Sequence, residues 1–275
     1  MKYIHWKLFG LQRSGNHAIL NWLIGLDQEN TLFFNRVRPG RDLLDKPSGV
    51  SLPEGTRAYA TRSNGKQIIQ PDELEWFEKN GGRLLLSYEN YPIEKFNSDL
   101  LNQPVIDRFG SFTEEKNLLV LRNPFNMLPS AEKLLRRSMV TKGKDKQWIR
   151  DVLEKRLSMW KNYAFLHSHP TSITRGVFIT FLFDRWVTDK DYRDAMAEKL
   201  GYTNHDRFLD FVSDAGNGSS FSGTKNNQQN DVLGRWKEVG SISGTLIENN
   251  PEVIDYVALI FGEEAVPAPF RGVRG

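Results

Sequence analysis

A three-layer α/β/α fold around a mostly parallel sheet is what this sequence predicts, and three observations carry that reading. Short apolar runs of strand length alternate with longer segments of helical period. The runs Leu84-Leu85-Leu86-Ser87, Asn117 to Leu121 (NLLVL) and Val177 to Phe183 (VFITFLF) are continuously apolar, as parallel strands covered on both faces require. Between Gly10 and Gly15 a glycine-bounded turn joins a strand to a helix, the arrangement of phosphate-binding α/β proteins.

Taken in order, residues 3–10 (YIHWKLFG) read as the first strand, stopped by Gly10. From Asn16 the apolar positions Ile19, Leu20, Leu23 and Ile24 recur at three- and four-residue steps and predict a helix ending near Gly25. Residues 36–80 are polar and rich in Pro and Gly, with a weak strand signal around Ala58 to Thr61 and a helix from Pro71 through Asn80. Ile149, Leu153, Leu157, Trp160 and Ala164 form one stripe of a long amphipathic helix. A further helix from Tyr192 to Leu200 ends at Gly201. No repeat or linker interrupts the 275 residues, so a single domain, 1–275, is expected. In such sheets ligands bind beyond the carboxyl ends of the strands, which directs attention to the loops after Gly10, Leu86, Leu121 and Phe183.

Composition narrows the function classes. Cysteine is absent, which excludes a disulfide framework, a thiolate metal site and a cysteine nucleophile, and fits a reducing cytoplasm. The opening residues are too charged for a signal peptide, and no apolar run approaches the roughly 20 residues that span a bilayer. A cytoplasmic protein without membrane insertion is expected. A net charge of +3 is too small to point to nucleic acid. Arg136, Arg137, Lys142, Lys144 and Lys146 nevertheless crowd one segment, either a solvated helix end or a surface for an anion. The isolated histidines His5, His167, His169 and His205 lack metal-ligand spacing, and no metal is expected.

The turn itself, Gly10-Leu11-Gln12-Arg13-Ser14-Gly15-Asn16-His17, has the glycine spacing of a Walker A loop but puts Asn16 and His17 where Lys and Ser/Thr would stand. The helix N-terminus attracts phosphate, Arg13 adds a permanent charge, and Ser14 and Asn16 add donors, while the usual hydroxyl ligand for Mg²⁺ is missing. In a second stretch, Asn117 to Leu134, a buried strand ends in Arg122 and Ser130 follows eight residues on, a pair able to clamp another phosphate. Pro129 is expected in the first turn of the helix carrying Ser130. An arginine at a strand end also pairs readily with a surface carboxylate.

Together the two stretches resemble the sulfotransferases. Arg13-Ser14-Gly15 is similar to their 5′-phosphosulfate loop, and Arg122-Asn123-Pro124 with Ser130 is similar to their 3′-phosphate motif. The resemblance implies a kinase-like α/β fold that transfers a sulfuryl group from 3′-phosphoadenosine 5′-phosphosulfate (PAPS) to a hydroxyl, without metal, leaving adenosine 3′,5′-bisphosphate (PAP). It implies donor contacts from Arg13, Ser14, Gly15, Asn16, His17 and Ala18 at one end and from Arg122 and Ser130 at the other. Val177 to Trp186 resembles the family's adenine-side strand, with Phe183 in place of a tyrosine. Gly218 to Gly223 and Gly234-Arg235-Trp236-Lys237 resemble a late cofactor-covering segment, which makes Ser220 a candidate for the 3′-phosphate and Arg235 for the 5′ end.

Sulfuryl transfer needs an in-line acceptor, a base and charge for the departing phosphate. Arg13 is the candidate for the charge. Glu89, at the end of the strand that begins at Leu84, is the first candidate for the base, as in the glycan and tyrosine members; His17 is the second. The acceptor class stays open between a glycan, a small alcohol or phenol, and tyrosine. Positive charge favours an anionic acceptor, whereas Tyr88, Tyr91 and Trp76 would stack on a sugar or phenol. Two other readings stand beside this one: a kinase with a degenerate P-loop, and an inactive nucleotide-binding module.

Overall fold

The computed structural model describes residues 3–44, 52–59, 71–169, 178–211, 233–238 and 241–272. Six strands form one sheet: β1 (Tyr3–Gly10), β2 (Thr31–Phe34), β3 (Arg57–Tyr59), β4 (Gly82–Glu89), β5 (Glu114–Leu121) and β6 (Phe178–Leu182), in the spatial order β3-β2-β4-β1-β5-β6. Every pairing is parallel. The chain builds outward from β1 on one side, returns through β4, then crosses to β5 and β6. The reversal beside β1 opens the crevice where α/β sheets take their ligands.

Alternation along the strands explains the three layers. On β1, Tyr3 and Phe9 enter one core with Leu84, Leu86 and Tyr88 of β4; Trp6 and Leu8 enter the other with Leu85. The first core is closed by α3 (Ser98–Phe109), α4 (Pro124–Lys142), α5 (Lys146–Ser168), α8 (Ser241–Glu248) and α9 (Pro251–Phe261), as well as α2 (Pro71–Asn80). The second is closed by α1 (Asn16–Leu26), α6 (Phe183–Thr188) and α7 (Lys190–Leu200). Ile149, Leu153, Leu157, Trp160 and Ala164 are all buried, so the stripe on α5 faces the sheet as its period requires. Gly201, at φ 87°, closes α7 in the left-handed region. Among the described residues no helix is long and apolar enough to cross a membrane.

Two local expectations change. The helix carrying Ser130 begins at Pro124, capped by the Asn123 side chain on the Phe125 amide, so Pro129 lies inside α4 rather than in its first turn. Pro124 takes the first helical position, where a missing N–H costs nothing. Strand β6 stops at Leu182, and Phe183 opens α6.

Candidate functional site

Register brings the motifs to one edge. Gly10 pairs with Glu89 of β4 and with Val120 of β5, so the turn after β1 lies between the turns after its two neighbours. Each neighbour grips it. Asn90, just past β4, donates its amide to the Gly10 carbonyl at 2.9 Å, and its side chain accepts from the Gln12 amide at 2.8 Å. Arg122, just past β5, donates Nη1 to the Arg13 carbonyl at 2.9 Å.

The loop is compact because its glycines have no room for side chains. A Cβ on Gly10 would lie 2.0 Å from Asn16 Oδ1, and one on Gly15 would lie 2.1 Å from the Phe183 ring. Arg13 itself sits at φ 75°, a conformation that costs a non-glycine residue on the order of 1 kcal/mol and collects at functional loops. The amides of Gly15, Asn16 and His17 precede the first intrahelical bond, from Ala18 to the Gly15 carbonyl at 3.0 Å, so the positive end of α1 faces the crevice.

Not every expected donor turns toward that crevice. Asn16 donates Nδ2 back to the Leu11 carbonyl at 3.1 Å and so staples the loop. Ser14 is buried, its hydroxyl 3.3 Å from the Met127 sulfur on α4. Phe183 is 5% exposed, stacked against Trp186 at 6.0 Å, with the Arg122 guanidinium 4.9 Å from its ring centre. That ring braces the loop and Arg122 rather than offering an open face to adenine.

The second phosphate motif lies against the first. The Arg122 carbonyl accepts from Trp160 Nε1 at 2.8 Å, and Asp184 anchors the turn by accepting from the Asn123 amide at 2.8 Å and Asn126 Nδ2 at 3.1 Å. Ser130, fully buried on α4, accepts a hydrogen bond from Arg235 Nη1 at 3.1 Å. Arg235, which the resemblance linked to the 5′ end, therefore contacts Ser130, which it linked to the 3′-phosphate. Glu132 steadies this end by accepting from the Ser243 amide at 2.9 Å. Ser220 lies outside the described residues.

The sequence reading missed Arg156. It is buried on the inner face of α5, donates Nη2 to Gln12 of the loop, and leaves Nη1 without a hydrogen-bond acceptor among the described residues. Its signal was present: position 156 stands seven residues after Ile149, on the apolar stripe, where a charge needs a reason.

Electrostatics set this region apart. Burial pushes Arg122 and Arg156 down to about 10 and lowers Arg13 as well; Asp184 partly offsets the shift at Arg122, and Glu89 does so at Arg13 and Arg156. Arg13 lowers both of the other two, so the guanidinium groups repel one another. All remain charged at neutral pH. Three mutually repelling guanidinium groups thus share a partly desolvated crevice.

Glu89 and His17 come together at a small cleft that Asn16, Asn35, Arg36, Ser87 and Tyr88 also line. Arg36 forms an ion pair with Glu89. Burial lowers the His17 pKa, against the pull of Glu89 and with help from Arg36 and Arg13, so the imidazole is neutral at pH 7. Tyr88 is 2% exposed and stacked on Phe9, Tyr91 is buried, and Trp76 lies under Arg57 at 3.8 Å; these rings serve packing rather than an acceptor platform. Of the basic segment, Arg137 on α4 comes near enough to lower the Arg13 pKa.

No family model and no curated protein matches the chain. Among solved structures, the chain is similar to the sulfotransferase domain of the Synechococcus PCC 7002 olefin synthase, at 15% identity and a TM-score of 0.40, over 90% of this chain and 95% of that one.

Proposed function

We propose that the protein is a PAPS-dependent sulfotransferase acting on a hydroxyl acceptor. The observation that carries the reading is the union of the two phosphate motifs: Arg122 bonds directly to the Arg13 carbonyl, while Arg235 meets Ser130 on the same helix, α4, that leads away from Arg122. The donor set is cationic and rich in amides, and Arg156 holds a buried nitrogen with no acceptor among the described residues, which suits a bisphosphorylated nucleotide.

In this reading Arg13 and the amides at the start of α1 hold the 5′ end, with Arg122 and Arg156 beside them, and Ser130 and Arg235 hold the 3′-phosphate. The bound donor supplies an activated sulfuryl group. Glu89 takes the proton from the acceptor hydroxyl as that oxygen bonds to sulfur, with His17 as the alternative base. Arg13, a guanidinium and so a poor proton donor, stabilises the charge left on the departing 5′-phosphate. A kinase with a degenerate loop is the weaker reading, because Asn16 stands at the Walker lysine position and its amide is turned back onto Leu11.

The test is a calorimetric comparison of PAP with adenosine 5′-monophosphate, both without metal. PAP binds at least about tenfold more tightly, and Arg235→Ala erases most of that difference. Equal affinities for the two nucleotides would overturn the assignment.

A further inference from the structure

Glu89 does not stand open to an acceptor. Arg36 comes from the turn after β2, the strand next to β4, and its guanidinium lies on Glu89 Oε2. The Arg36 side chain is 48% exposed and that of Glu89 is 14% exposed, so a molecule entering from solvent meets the arginine before the carboxylate.

The arginine is held by its backbone, and its tip by Glu89 alone among the described residues. Arg36 sits in the left-handed region at φ 55°. Its amide donates to Ser87 Oγ at 2.9 Å, that hydroxyl donates to Asn35 Oδ1 at 3.0 Å, and the Val37 amide donates to the Ser87 carbonyl at 2.9 Å. The turn is thereby fixed to β4 within two residues of Glu89, while the side chain stays half exposed. The other charged or titratable groups whose fields reach Glu89 are Arg13, Arg156 and His17.

A guanidinium in contact with a carboxylate favours its ionised form and occupies one of the oxygens that would receive a proton. A neutral acceptor must therefore strip an ion pair to reach the base and gives Arg36 nothing in return. An acceptor with its own anionic group offers the arginine a replacement partner, so the exchange approaches balance. We infer that Arg36 is the specificity-determining residue of the acceptor side: it latches Glu89 in the empty site and transfers to an anionic group, a carboxylate or sulfate, carried by the acceptor near its reacting hydroxyl. The inference rests on reading Glu89 as the base and names the acceptor class that this base serves.

Matched acceptors that differ only in charge provide the test: 4-hydroxyphenylacetate against its amide, and methyl glucuronide against its amide. Each is titrated calorimetrically into the protein with and without saturating PAP. The acid of at least one pair binds about tenfold more tightly than its amide, and Arg36→Ala removes that preference while leaving PAP affinity within about twofold. Equal affinity of acid and amide in both pairs, no binding of either acid at millimolar concentration, or a preference that survives Arg36→Ala would overturn the inference. A wild-type protein that discriminates acid from amide but fails to bind PAP would strike the donor reading instead and leave Arg36 as an anion receptor.

Discussion

Lys7 beneath the sheet and Arg122 and Arg156 beside the loop after β1 are buried cations in different surroundings. Beneath the sheet, Lys7 is fully buried yet donates to Asn102 Oδ1 at 2.7 Å and pairs with Glu115, which also accepts from Ser98 at 2.9 Å and Asn102 Nδ2 at 2.7 Å. Burial lowers the Lys7 pKa while Glu115 pulls it back; burial raises that of Glu115, but Lys7, Asn102 and Ser98 outweigh it and hold it low. Charge and hydrogen bonds close on themselves there. Around the loop after β1, Arg13 repels Arg122 and Arg156, Asp184 and Glu89 act on them among the described residues, and Glu89 also pairs with Arg36. The comparison teaches that burial alone does not separate a structural cation from a candidate ligand-binding one; the groups packed around it do.

The largest expected effect attacks the arginine cluster at its centre. Arg122→Ala lowers PAP affinity by about a hundredfold or more, since it removes a charge-assisted donor and the bond that shapes Arg13, whereas Lys7→Met paired with Glu115→Gln leaves PAP affinity unchanged; calorimetry reads both. Next comes the base. Glu89→Gln reduces transfer about a hundredfold to a thousandfold with PAP binding retained, while His17→Gln costs less than about tenfold; single-turnover rates decide, and the reverse order would move the base to His17.

The balanced cluster gives the sharpening control. Lys7→Ala alone strands the Glu115 carboxylate and destabilises by about 3 kcal/mol in a urea melt, while the double replacement of Lys7 and Glu115 by uncharged residues of similar size costs far less. A pH effect on stability appears only in acid. Burial lowers His5 to about 3, with Lys7 adding to the shift and Glu115 opposing it, so the unfolded chain binds the proton that the folded chain refuses. Stability attributable to His5 is complete above the unfolded value near 6.5 and is lost as pH falls toward 3, by up to about 1.4 kcal/mol per pH unit. His5→Phe flattens that slope in acid melts, and an unchanged slope would contradict the assignment.

Much of the scaffold was legible because strand β1, its loop, α1 and the apolar runs of β4 and β5 each carry a local pattern that tertiary contacts do not override. Strand β2 was not read, because the four residues Thr31–Phe34 are too few to show a period. Helix α3 was hidden by Pro104 in its interior. Within the site, Arg13, Arg122 and Ser130 could be named from spacing alone, but the position of Arg235 on Ser130 depends on how distant segments fold together, which no local pattern encodes. Asp184 and Arg36 escaped for the same reason. Arg156 was readable in principle as a charge on an apolar stripe. Phe183, assigned by resemblance to adenine, turned out to fill the space a Gly15 side chain would need, a constraint visible only in three dimensions.

The central claim is that the arginine cluster around the first loop is a binding site for one adenosine bisphosphate, and a thermal melt tests it most directly, with EDTA in the PAP sample and none in the sample of ATP with Mg²⁺. PAP at about 100 times its dissociation constant adds about 2.7 kcal/mol and raises the melting temperature by several degrees, while ATP with Mg²⁺ gives no comparable shift. Stabilisation by ATP with Mg²⁺ and none by PAP would contradict the account.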